Sequence, residues 1–270
     1  MRKIHFIIGF LLGITASFSF MFIHKEIVES FRDKNSKIFL HEEMKAELLK
    51  GTSGKGKIIL KEKNKAIHED LKIDLPKSYE NIAKEIILEL PSTHTFPLKK
   101  IVAEYGENVR RGLASFKSMY LGVDVIKNEQ EFRRVFIHEM GHIVDLGALK
   151  AKEKKDGSGF RDGSNIIYET DPSLDFYRLC WEDEYTQNGE CDNLDFVSEY
   201  SETDAFEDFA ESYLLFFENN KSFKSMASKS KAIAKKYDFF ANVVFNGNFK
   251  KTPKGNLPED ERVWDLTQVY

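Results

Sequence analysis

Proline is scarce in this chain, 6 in 270 residues, and glycine stands at only 16. With 41% hydrophobic residues, that excludes a collagen-like repeat and a chain disordered throughout. A basic excess is also missing: 40 Lys and Arg face 44 Asp and Glu, a formal net charge of −4. Nucleic acid is therefore not an expected partner. Cysteine is limited to Cys180 and Cys191, with no C-x-x-C pair, so the common structural zinc patterns are out. Internal repeats are absent, and a mean hydropathy of −0.43 excludes a multi-pass membrane protein. Aromatic residues are what the chain has in quantity. Its 23 Phe and 10 Tyr supply material for a core, and the length suits one domain with a tail or two small domains.

One long apolar run stands at the start. Arg2 and Lys3 precede Phe6 to Ile23, which is uncharged and mostly apolar. As a helix those 18 residues would span about 27 Å, just under a bilayer core of about 30 Å. Residues 1–24 read as a cleaved signal peptide or an uncleaved signal anchor, the absence of a clean A-x-A site favouring the anchor. As an anchor, the segment would keep Arg2 and Lys3 on the cytoplasmic side. Either way the rest of the chain is expected outside the cytoplasm, secreted or membrane-held. Cys180 and Cys191 suit that location. A disulfide between them is expected, worth about 2–3 kcal/mol by chain entropy.

Composition divides the remaining residues. Residues 25–75 are rich in Lys and Glu, with a helical stretch at Ile38 to Lys50 and a flexible break at Gly51 to Lys57; they read as a stalk or N-terminal extension. A folded domain is expected over 76–250, with 251–270 as a tail. Ser78 to Leu90 has Ile82, Ile86 and Leu90 at helical spacing, with Ser78 as the cap. Ile101 to Tyr105, Arg111 to Ser115 and Met119 to Ile126 read as strands. Asn128, with Glu131 in capping-box register, opens a helix to about Leu146 that Gly147 ends. Residues 148–175 read as a long loop, Thr203 or Asp204 to Asn219 as a helix, and Ser225 to Val244 as the last helix. Strands followed by helices give an α+β domain.

The central helix carries His138-Glu139-Met140-Gly141-His142, an H-E-x-x-H motif. Side chains four apart on a helix share a face, with Cβ atoms about 5–6 Å apart. Two imidazoles so placed can share one zinc ion (Zn2+) per chain, with Glu139 beside them as general base to a water. A chain of this composition carries the motif by chance roughly once or twice in a hundred, so context has to support it. Phe132, Phe136 and Ile143 form an apolar stripe, which sets the helix in a core. Asp145 falls on the polar stripe of His138 and His142 and is expected to accept an N–H from a ligating imidazole. A catalytic zinc wants a third protein ligand, and no histidine follows at metzincin spacing. The acid-rich helix offers Asp204, Glu207, Asp208 and Glu211; periodicity alone does not choose among them.

H-E-x-G-H-x-x-D, followed by E-Y-x-x-T-x-x-x-E-x-F-A-E, resembles the catalytic domain of anthrax lethal factor and the Pro-Pro endopeptidases, gluzincin metallopeptidases. The resemblance spans roughly residues 98–217 and departs in a long stretch between His142 and Glu207 that holds the cysteine pair. It implies a zincin-like metallopeptidase domain: a small mixed sheet with an edge strand, plus zinc-binding helices. It implies Glu207 as third ligand, seven residues after a catalytic Tyr200 that would donate to the oxyanion. It also implies an outer-shell role for Glu211 and for Asp145. The expected activity is zinc-dependent endopeptidase cleavage of a peptide or protein substrate, with Arg111 to Ser115 as the strand that pairs with the peptide. Two other readings use the same site: an inactive zincin-fold binding module, and a zinc hydrolase acting on something other than peptides.

Overall fold

The computed structural model describes residues 67–247 and 262–268, all within the unit 63–270. The apolar segment at 1–24, the helix at 38–50 and most of the expected stalk lie outside the described residues. No helix among the described residues is long and apolar enough to cross a membrane.

The fold begins before Pro76. Strand β1 (Lys72–Asp74) lies in the segment read as a stalk, yet pairs in parallel with β2 (Lys100–Glu104). Strands β3 (Gly112–Ala114) and β4 (Ser118–Gly122) complete a mixed sheet of order β1-β2-β4-β3. β2 and β4 run parallel, β3 returns antiparallel to β4, and β3 is left as an edge. The strand expected over 119–126 stops at Gly122.

Helix α1 (Lys77–Glu89) buries Ala83, Ile86 and Ile87 behind the sheet. It starts at the Pro76 corner, and no side chain caps it, so Ser78 is not the cap. A single turn, α2 (Ser92–Thr95), follows. Helix α3 (Glu129–Ile143) starts where expected: Asn128 Oδ1 accepts from the Glu131 N–H at 2.9 Å. The Glu131 carboxylate reaches back to the Lys127 N–H at 2.7 Å, one residue beyond the usual box. Phe132, Phe136 and Ile143 are wholly buried. After Ile143 the backbone widens into a π-helical turn, Val144–Ala148, and so continues past Leu146.

Residues 148–175 are not a plain loop. Strands β5 (Gly157–Asp162) and β6 (Asn165–Tyr168) form a hairpin that turns at Gly163, whose φ of 57° is costly for other residues. A short turn α4 (Leu174–Tyr177) leads into the loop closed by a disulfide between Cys180 and Cys191. Helix α5 (Ala205–Glu218) is capped by Asp204, whose Oδ1 accepts from the N–H groups of Phe206 and Glu207. The expected last helix is two: α6 (Asn220–Ala227), capped by Asn219, and α7 (Lys231–Phe239), capped by Ser230. Aromatic rings form the second half of the core: Phe240, just after α7, contacts Phe209, Tyr213 and Phe216 of α5 and Phe223 of α6. Mixed sheet plus helices make this an α+β fold. Residues 262–268, read as tail, also belong to it: the N–H groups of Glu199 and Tyr200 donate to the carbonyls of Val263 and Trp264.

Candidate metal centre

Helices α3 and α5 cross where Gly141 faces Ala210. A Cβ on Gly141 would stand 2.8 Å from the Ala210 Cα, so only glycine permits this approach. The crossing sets Glu207, in the first turn of α5, opposite the two histidines of α3. Glu207 Oε2 lies 3.0 Å from His138 Nε2 and 3.6 Å from His142 Nε2. One ligand atom from each of the three lies within 4.8 Å of the others.

These residues fit a metal ion. Glu207 Oε2 is buried and has no properly aligned hydrogen bond to either ring, an arrangement that is costly unless something else meets it. Donors each about 2.1 Å from a tetrahedral ion would stand about 3.4 Å apart, and the two measured separations bracket that value. Two imidazole nitrogens and one carboxylate oxygen are also a donor set that borderline cations such as zinc accept. His138, His142 and Glu207 could therefore hold a metal ion.

Two groups, Ser198 and Leu266, brace this cluster through Glu211. Its Oε1 lies 2.9 Å from His138 Nδ1, while its Oε2 accepts from Ser198 Oγ at 2.7 Å and from the Leu266 N–H at 2.9 Å. A carboxylate so held fixes the ring orientation and tautomer of the histidine it faces. Asp145 is elsewhere. Contrary to the expectation from spacing, its Oδ2 accepts from the Tyr177 hydroxyl at 2.5 Å, and its buried Oδ1 has no partner. Among the described contacts neither His138 nor His142 hydrogen-bonds to Asp145, although the charge of His142 still acts on its carboxyl. The other two acids of the α5 region have structural work: Asp204 caps the helix, and Asp208 is wholly buried against Lys236 at 2.7 Å and Trp181 Nε1 at 3.1 Å.

Glu139 turns toward the edge strand. A Cβ on Gly112 would come 2.2 Å from Glu139 Oε1, so glycine at 112 is what leaves room for the carboxylate. The buried Oε2 of Glu139 makes no hydrogen bond. Tyr200 opens a 3₁₀ turn (Tyr200–Glu202), its ring centroid 6.1 Å from that of His138. Glu139, Tyr200 and the three candidate ligands line one cleft of about 530 Å³, with β3 along one side and Arg161 and Asp162 of the β5–β6 hairpin on another.

Sequence reasoning missed the C-terminal contribution. Arg111, at the start of the edge strand, is paired with Asp265 through Nη2, while its Nη1 donates to Thr267 Oγ1 at 2.5 Å and lies 3.4 Å from Glu131 Oε1. Asp265 and Thr267 also line the cleft. They lie about 150 residues from Arg111 in sequence and carry no motif, so no local signal marks them.

The electrostatics are those of a mutually paired cluster. Burial alone would make both histidines less basic, but the carboxylates outweigh it. Glu207 and Glu211 raise His138 well above its ordinary value, and Glu207 raises His142. Burial pushes Glu207 up, yet the two imidazoles prevail and hold it far below the usual carboxylate range. A divalent cation bound there would displace the protons that the carboxylates help both imidazoles hold. Burial raises Glu139 above an ordinary glutamate, against the pull of the two histidines. Burial, with Glu207 nearby, also raises Tyr200 and keeps its phenol protonated.

Comparison with known protein families, curated proteins and solved structures finds no match to this chain.

Proposed function

We propose that this chain is a zinc-dependent endopeptidase, a gluzincin related to the lethal factor and Pro-Pro endopeptidase group, that works outside the cytoplasm. The observation that carries the reading is the buried, unbonded Glu207 oxygen between two imidazole nitrogens, with a second unbonded carboxylate oxygen, Glu139 Oε2, in the lining of the same cleft. The disulfide suits an oxidising compartment, secreted or held at a membrane by residues 6–23.

Zinc held by His138, His142 and Glu207 would supply Lewis acidity, polarising a carbonyl and lowering the pKa of a water toward about 7. Glu139 takes the proton from the attacking water and returns it to the departing amine; a carboxyl that burial makes more basic than an ordinary glutamate is suited to both halves. Tyr200, protonated and on the cleft wall, donates its O–H to the oxygen on which negative charge grows. Glu211, itself anchored by Ser198 and Leu266, keeps His138 in place. The edge strand receives the peptide. Arg111 and Ser115 bond inward to β4, so by antiparallel alternation Gly112 and Ala114 direct their backbone groups to the open side.

Glu139→Gln tests this. The full-length zinc-loaded protein should cleave members of a mixed peptide library. The variant should keep its zinc and lose turnover by about 10²–10⁴-fold. Equal turnover by both proteins would reject Glu139 as the base.

A further inference from the structure

A second cavity, of about 640 Å³, opens beside the cleft. Leu146 lines both, and the edge-strand side passes from one to the other: Arg110 to Ala114 border the cleft, Ser115 to Lys117 the second cavity. Strand β3 ends at Ala114, and the Ser115 N–H donates to the Ser118 carbonyl in the turn back to β4, so the second cavity begins about 10 Å along the strand from Gly112, which abuts Glu139. An extended peptide running along β3 past its turn into β4 would therefore reach this cavity with residues three or more positions from the scissile bond.

The cavity has an apolar floor and a basic rim. Phe116, Leu146 and Ile166 supply the floor, and Ile166 is 39% exposed. The rim holds Lys117, Lys150 and Lys154, all exposed and without an ion pair among the described residues. Asp171, also in the lining, is engaged: its Oδ1 accepts from the Ser173 N–H at 3.0 Å and its Oδ2 from the Ala151 N–H at 2.9 Å. Asp171 offsets one of these three charges, and the lining keeps a net positive charge around the apolar trough. In a chain that is acidic overall this is a local field of opposite sign.

Resting on the peptidase reading, we infer that the substrate is an acidic polypeptide whose Asp or Glu side chains, interleaved with apolar ones, occupy this groove three or more residues from the cleaved bond. The lysines attract the carboxylates, the trough takes the apolar side chains, and specificity is set beyond the metal cleft.

The test uses full-length protein carrying Glu139→Gln and loaded with zinc, so that bound peptide is not consumed. Three fluorescein-labelled 14-residue peptides of alternating Glu/Leu, Ser/Leu and Lys/Leu are titrated by anisotropy. The Glu/Leu peptide should bind at least tenfold more tightly than the Ser/Leu peptide. K117E/K150E/K154E should remove or reverse that order. K224E/K231E/K235E, which makes the same change in net charge on exposed lysines that line neither cavity, should preserve it. Equal binding of the acidic and neutral peptides overturns the inference, as does an acid preference that survives the groove substitutions or is lost equally in the control. The Glu/Leu and Ser/Leu peptides are then offered to protein with Glu139 intact. Hydrolysis without acid preference refutes the groove and leaves the peptidase. Acid preference in binding without hydrolysis of any peptide refutes the peptidase and leaves an acidic-peptide groove.

Discussion

Tyr200 stands where its hydroxyl can act, near His138 and on the cleft wall, and its environment keeps it protonated. One oxyanion donor is worth about 2.7–4 kcal/mol. Tyr200→Phe should therefore lower kcat by about 10²–10³-fold with zinc content unchanged, and unchanged kcat would reduce Tyr200 to packing. Asp145 gives a prediction of opposite character. Burial raises its carboxyl to about 7, against help from Ser173 and Tyr177. In the folded state it keeps its proton over a range in which the unfolded chain has lost it. Stability from this residue is thus greatest at low pH, declines as pH rises from about 4 to about 7, and is flat above. In chelator-treated protein, Asp145→Asn should grow more stable relative to the parent across that window, as followed by denaturant unfolding at several pH values. A pH-independent difference would refute the assignment. At this scale legibility was uneven. The spacing of His138, Glu139 and His142 was plain because a helix needs only local register. Glu207 was not separable from Asp204, Asp208 and Glu211 by periodicity, since their distinct partners, a helix N-terminus, Lys236 and His138, come from distant chain.

Among the elements, the stretch between α3 and α5 has a structural role. Glu184, in the disulfide loop, accepts from the Arg161 N–H at 3.1 Å through its carboxylate and from the Ala205 N–H at 2.9 Å through its carbonyl. It therefore ties the β5–β6 hairpin to the first residue of the helix that carries Glu207. The disulfide closes this loop by linking residues 11 apart, a constraint worth about 2–3 kcal/mol. Cys180→Ser with Cys191→Ser should reduce unfolding stability by about that amount, measured in urea, while His138, His142 and Glu207 still bind metal. No loss of stability would mean the loop is held by its other contacts alone. The hairpin itself escaped the sequence reading because Phe160 and Ile167 are its only buried apolar residues in a polar, Gly- and Ser-rich stretch. The Gly163-Ser164 pair that forms its two-residue loop was a usable signal. The break between α6 and α7 was hidden by continuous helical hydrophobicity across Ser228 and Ser230, where capping decides the outcome.

For the molecule as a whole, the α+β class was legible from the order of strands and helices, but its limits were not. β1 and residues 262–268 join the fold through sheet pairing and through contacts to Glu199, Tyr200, Glu211 and Arg111. Short polar segments give no sign of such long-range pairing. The contacts of residues 262–268 converge on the cluster of His138, His142 and Glu207, and everything proposed about function depends on metal binding there. The most direct measurement is zinc per chain in purified full-length protein, by atomic emission after exhaustive dialysis, beside Glu207→Ala. The account predicts one zinc per folded parent chain and clear loss in the variant. A folded parent without zinc, or a variant that retains one zinc per chain, would contradict it.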